Sequence, residues 1–173
     1  CDRGARDGGP VHLGRGRGRP RGVLRARRGV LTMPTDDDHG YAVWTAEWKG
    51  GLATDVGGRG HDLRVDEPPE FGGDDSGPMP TELLVAAIAS CFCLAVAWAA
   101  RKRRVQLDDL RVHVRAERAP GEPRHGAYDV WVESSTPAAD LAPAIDLAKR
   151  FCWVTNTIRT PPQLRYHLGA PIG

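Results

Sequence analysis

Apolar and polar positions change period several times along this chain, and each change marks an element. Residues 41–48 (YAVWTAEW) place aromatic and branched side chains with strand character, and Gly50-Gly51 ends the run. Residues 52–56 and 61–65 repeat that character around Gly57, Gly58 and Gly60, which predicts a three-stranded meander. Residues 67–80 (EPPEFGGDDSGPMP) have no apolar period and are crowded with Pro and Gly. A loop of this length is longer than most connections, which points to a function for it.

Thr81 is expected to cap a helix, with Glu82 in the first turn, where a carboxylate favours the positive end of the dipole. The helix runs through LLVAAIASCFCLAVAWAA, residues 83–100, and ends in Arg101-Lys102-Arg103-Arg104, cations suited to the last carbonyls. Residues 109–119 and 127–134 alternate with period two, so they pair as strands across a turn at Gly121 and Pro123. Leu141, Ala144, Ile145, Ala148 and Phe151 share one helical face. A third helix follows Cys152, and residues 163–168 close the chain as a last strand.

The central helix carries no charge over 18 residues and is followed by four cations, the minimal description of a membrane span. Seven of the 18 are Ala and one is Ser, which contribute little transfer energy, and the flanking strands alternate as in a soluble sheet. We therefore expect no membrane span and a helix covered by protein. An all-apolar helix in so short a chain draws its remaining cover from a second subunit, so a homodimer is expected. The RKRR cluster has a nuclear or phosphate-binding reading as well as the helix-end reading, which accounts for it fully.

Charge refines the domain picture. The whole chain has 24 Lys plus Arg and 22 Asp plus Glu, a net charge of +2, which excludes a uniformly basic nucleic-acid binder. Residues 1–32 hold nine Arg against Asp2 and Asp7, a local +7 that leaves −5 for residues 33–173. That leader has no apolar period, so it is expected to be a disordered extension, or sequence upstream of a start at Met33. The RGRGRGR run also fits a nucleic-acid tail, whereas a transit peptide would be Ser-rich and this stretch has no Ser. The folded unit is expected to be one domain over residues 33–173. With four scattered cysteines and no apolar leader segment, a reducing cytoplasm is the expected compartment.

The thiols are the chemistry-bearing groups. Cys91 and Cys93 lie two apart on a helix, about 200° around its axis, so only one can face a given site. His39, His61, His113, His125 and His167 show no metal-ligand spacing with the cysteines, and neither a metal nor a cofactor is expected. Nothing local marks one of these histidines as a base for a catalytic cysteine. Cys91 and Cys152 are either small buried hydrophobes or a redox pair in which one thiol is oxidised and the other resolves it.

Two stretches carry a resemblance. EPPEFGGDDSGPMPTELLVAAIASCF, residues 67–92, resembles the segment around the reactive cysteine of the OsmC/Ohr family, with its GG loop, small-Pro turn, E-L-L-x-A-A start and Cys-Phe. CWVTN, residues 152–156, resembles the family's second-cysteine segment, usually C-P-V-S-N or C-P-Y-S-N. The separation of the two cysteines and the order of elements also match. The resemblance implies an intertwined α+β homodimer with its long central helices buried between the subunits. It also implies two interfacial active sites, reduction of organic hydroperoxides, and recycling by a dithiol such as a lipoyl protein. Cys91 falls on the peroxidatic position and Cys152 on the resolving one; Cys93 has no counterpart.

The chain departs from the family in two places. The family's activating Arg belongs in the turn that here reads Trp48-Lys49-Gly50-Gly51, and its Glu follows the Pro directly, whereas here Thr81 follows Pro80 and Glu82 comes next. One residue rotates a helical side chain by about 100°, so Glu82, the expected acidic site residue, stands one place off the family's position. A cation is still required beside Cys91; Lys49 is the expected one from its place in the turn, ahead of Arg59 and Arg159. The alternative function is a non-peroxidatic protein of the same fold that binds a small apolar ligand at the dimer interface.

Overall fold

The computed structural model describes residues 43–169. The extension expected over residues 1–32 and the start of the folded unit near Met33 lie outside them. Strands β1 (Thr45–Trp48), β2 (Thr54–Gly58) and β3 (His61–Val65) form an antiparallel meander in which Ala46 faces Val56 and Val56 faces Leu63. β2 begins two residues later than its apolar pattern suggests, because Gly50 and Gly51 both take positive φ and the turn closes only at Ala53, whose N–H donates to the Gly50 carbonyl. A short 3-10 turn, Pro69–Phe71, interrupts the long loop.

Asp66 organises that loop. Its buried carboxylate accepts hydrogen bonds from the N–H groups of Glu67, Asp74 and Ser76 and from the Ser76 hydroxyl, so it folds the loop around itself. Those donors hold the Asp66 carboxyl below its ordinary value. Gly73 and Gly77 are required by close approach: a Cβ on Gly73 would collide with the Glu67 carbonyl, and one on Gly77 with the Arg64 carbonyl.

Helix α1 spans Pro80–Lys102. Its cap is Met79 rather than Thr81: Pro80 takes the first helical position, where its fixed φ fits and no N–H is missed. Glu82 then accepts the Met79 N–H at 2.9 Å. After α1 come β4 (Arg111–Arg118) and β5 (His125–Glu133), paired antiparallel, then α2 (Ala138–Phe151) and α3 (Trp153–Arg159). Phe92, Val96, Ala99 and Ala100 of α1 meet Leu141, Ala144 and Ala148 of α2 in the core, with Val112 and Val132 of the second sheet against it.

α1 is long and apolar enough to cross a bilayer by length and composition, but α2, β4 and α3 pack against it and make it the core helix of an α+β domain. Its cover is one-sided, since Leu84 and Leu94 are exposed. The strand expected over residues 163–168 is not formed: residues 163–167 have no regular secondary structure, Leu168 lies in a bend, and Tyr166 is 89 % exposed. A period-two pattern needs a sheet edge to pair with, and within the described residues this segment finds none.

Candidate active site

Cys152 occupies the corner between two helices, ending α2 and capping α3. Its N–H completes α2 by donating to the Ala148 carbonyl at 2.9 Å, and its carbonyl starts α3 by accepting from the Asn156 N–H at 3.0 Å. The Asn156 side chain reaches back to the Arg150 carbonyl at 3.0 Å, so the corner is stapled from both helices. Its sulfur side chain is 0 % exposed, lodged in the core with Ala148 and Val96.

Cys91 is in the middle of α1, partly exposed, on the face that meets α3. The structure brings the two sulfurs to 3.4 Å, with the Cys152 thiol donating to Cys91. A disulfide has S–S of about 2.05 Å, so closure asks for a movement of about 1.4 Å, within reach of side-chain rotation. Burial pushes the Cys91 thiol up from its ordinary value, and the neighbouring Cys152 pushes in the same direction; the backbone N–H groups of Val154 and Trp153, which hydrogen-bond Cys91, pull it down. Burial wins, and the thiol is raised overall. Cys93, partly buried and two residues on, takes no part in this pair.

The other expected site residues are occupied elsewhere within the chain. Lys49 lies in the β1–β2 turn and pairs with Glu47 at 2.7 Å and Asp55 at 3.7 Å, and the Glu47 hydrogen bond raises its pKa, so it stays cationic. Glu82 is engaged at the head of α1 with the Met79 N–H. Arg59 forms the left-handed turn between β2 and β3, and Arg159 lies in the last turn of α3. Among the described residues, no hydrogen bond or ion pair joins Lys49, Glu82, Arg59 or Arg159 to either sulfur. The amides of Trp153 and Val154 escape a reading based on side-chain types, because backbone donors leave no residue-type signal. A groove of about 1230 Å³ lies beside the first turns of α1, lined by Leu52, Phe71, Leu84, Val85, Tyr128 and Ile158 among others.

Solved structures share this fold. An OsmC-like structure from Mycoplasma pneumoniae superposes with a TM-score of 0.60 at 16 % identity, covering 71 % of this chain and 90 % of that one. An organic hydroperoxide resistance protein OsmC from Legionella pneumophila gives 0.55 at 20 %, covering 70 % and 90 %. The organic hydroperoxide resistance protein OhrB of Bacillus subtilis gives 0.50 at 19 %, covering 70 % and 93 %. At such identities the likeness is one of fold. No curated protein matches the chain. The family model for OsmC-like proteins matches residues 73–167, which include the long helix and both sulfurs of the 3.4 Å pair, and the chain belongs to that family.

Proposed function

We propose that the protein is a cytoplasmic thiol peroxidase that reduces organic hydroperoxides, with Cys91 as the attacking thiol and Cys152 as the resolving one. The observation that carries this reading is the 3.4 Å approach of a partly exposed sulfur to a fully buried one. Exposure supports the division of labour, since a peroxide from solvent meets Cys91 first. The Cys91 thiolate attacks the hydroxyl oxygen of the hydroperoxide, the O–O bond breaks, and the alkoxide leaves and takes a proton to become the alcohol. The Cys91 sulfenic acid is then attacked by the Cys152 thiolate; an S–S bond forms, and hydroxide leaves as water after protonation. An external dithiol, such as a lipoyl protein, supplies the two electrons that reopen the disulfide and is itself oxidised to a disulfide. The similar Legionella and Bacillus proteins, both named as organic hydroperoxide resistance proteins, favour the same chemistry.

The working unit in this reading is a homodimer. Trp44, Trp48 and Leu63 leave the meander with an exposed apolar surface, and Leu84 and Leu94 do the same for α1. The meander's principal contacts are within itself, not with α1. Exposed apolar surface on two elements that do not cover one another is a signature of an interface. In such a pair Lys49 and Glu82 would act on the thiolate across the interface, Lys49 from the turn of the partner's meander.

The groove beside α1 favours a second reading, a non-peroxidatic protein that binds a small apolar ligand. Cumene hydroperoxide and a dithiol separate the two. Wild type is expected to consume peroxide, Cys91→Ser to be inactive, and Cys152→Ser to stall after one oxidation. Absence of turnover in wild type, or full turnover in Cys91→Ser, leaves the binding reading.

A further inference from the structure

We propose that Cys91 and Cys152 form a two-point binding site for a trivalent arsenical that carries one organic group. The two sulfurs stand 3.4 Å apart, both as free thiols. Two bonds of about 2.3 Å, the length of a metal–thiolate bond, span that 3.4 Å from one shared atom at an angle of about 95°. A tetrahedral zinc ion would hold its sulfurs about 3.8 Å apart, and a linear two-coordinate soft ion about 4.6 Å. An angle close to a right angle belongs instead to a pyramidal, three-coordinate centre with a lone pair, which is the geometry of arsenic in its trivalent state. The number of ligands points the same way. Among the described residues, no group of three or more His, Cys, Asp or Glu side chains is placed to hold a metal ion, and Cys93 lies about 200° around the helix from Cys91. Two sulfurs leave a zinc ion half-coordinated, but they complete an arsenic atom that already bears one carbon.

The binding step is a condensation. The arsenical arrives with two hydroxyl groups on arsenic. Cys91, partly exposed, forms the first As–S bond, and its thiol proton leaves with one hydroxyl as water. Cys152, 0 % exposed, forms the second bond from inside the core, and its proton leaves with the other hydroxyl as a second water. Neither sulfur nor arsenic changes oxidation state. Neutral thiols suffice for this exchange, so the burial that raises the Cys91 thiol is no obstacle and no neighbouring cation is needed. The second bond closes within one molecule, on a sulfur already held by the α2–α3 corner through the Ala148 carbonyl and the Asn156 staple, so little ordering remains to be done. The site is the thiol pair of the peroxidase reading, but capture of the arsenical stands on the geometry of that pair and not on peroxide chemistry.

The test is titration of the reduced full chain with phenylarsine oxide, read by intact mass spectrometry and by protection of each cysteine from iodoacetamide. One phenylarsenic group per chain is expected, with Cys91 and Cys152 protected together and Cys93 reacting as it does without the arsenical. Cys91→Ser and Cys152→Ser are each expected to bind at least about a hundredfold more weakly, because a single thiol loses the second, intramolecular bond. Cys93→Ser is expected to follow wild type. Dimercaptopropanol, a dithiol, is expected to strip the group, whereas the monothiol glutathione is not. Wild-type affinity in either single variant of the pair, an adduct that depends on Cys93, or release by glutathione as readily as by the dithiol would overturn the proposal. Should a serine variant misfold by circular dichroism, the wild-type protection pattern decides, and protection of one sulfur without the other refutes the two-point site. Capture without peroxide turnover would count against the peroxidase reading alone, and turnover without capture against this proposal alone.

Discussion

The side-chain amide of Asn156 donates to the carbonyl of Arg150 at 3.0 Å, across the corner that contains Cys152. That bond ties the last turn of α2 to the first turn of α3, and the buried sulfur between them inherits its position. Asn156→Ala is expected to lower stability by about 1 kcal/mol, the net worth of one hydrogen bond, a fall in melting temperature of a few degrees. If the corner sets the sulfur distance, oxidation of the Cys91–Cys152 pair by a stoichiometric peroxide pulse is also slowed. A variant that melts earlier but closes the disulfide at the wild-type rate would show that the bond serves the fold only.

Asp66 makes stability depend on acid. Its carboxyl is held below the ordinary value by the Ser76 hydroxyl first, and by the N–H groups of Ser76, Asp74 and Glu67. A carboxylate whose folded pKa is depressed contributes stability above its unfolded pKa, and the contribution disappears as pH falls through the folded value. Wild type is expected to lose melting temperature below about pH 4 more steeply than Asp66→Asn, which starts lower at pH 7. Parallel pH curves for the two proteins would remove Asp66 from this role.

The raised Cys91 thiol sets the pH response of its chemistry. Burial is the largest cause and favours the neutral thiol, so the reactive thiolate is a minority at neutral pH. Below the pKa its fraction grows about tenfold per pH unit, and alkylation of Cys91 is expected to climb from pH 6 to beyond pH 9 without levelling. A plateau at or below pH 7 would mean that a cation from a second subunit, Lys49 in the proposed dimer, overcomes burial.

Leu94 is 71 % exposed on α1, as is Trp48 on the meander. Placing a charge on either face opposes association without touching the core. Leu94→Asp is expected to turn a dimer into a monomer by light scattering at micromolar concentration while keeping the wild-type circular dichroism. A wild-type monomer at the same concentration would refute the dimer outright.

Much of the fold was legible because its signals are local. Alternation marked β4 and β5, the 3.6-residue stripe from Leu141 to Phe151 marked α2, and Gly50 with Gly51 marked the first turn, although their positive φ values delayed β2 to Thr54. Thr81 was a sound cap by residue type but lost to Pro80, whose ring suits the first helical position and left Glu82 to close the Met79 N–H. Asp66 was illegible because its partners lie up to ten residues away in an irregular loop. Residues 163–168 show the opposite failure: their alternation is real, but a strand is a relationship between two segments, and one segment cannot announce its partner. Residue type left Cys91 and Cys152 as either small buried hydrophobes or a redox pair, and the resemblance favoured the pair, since a 61-residue separation carries no geometric information by itself.

The complete enclosure of Cys152 also has a bearing on how the proposed cycle is reset. A bulky reductant arriving at the oxidised pair can strike only the outer sulfur, so the transient adduct forms on Cys91 and the inner sulfur departs as the leaving group. Recharging thus becomes one-directional, and the enclosed thiol is spared from forming adducts with small metabolites that circulate outside the protein.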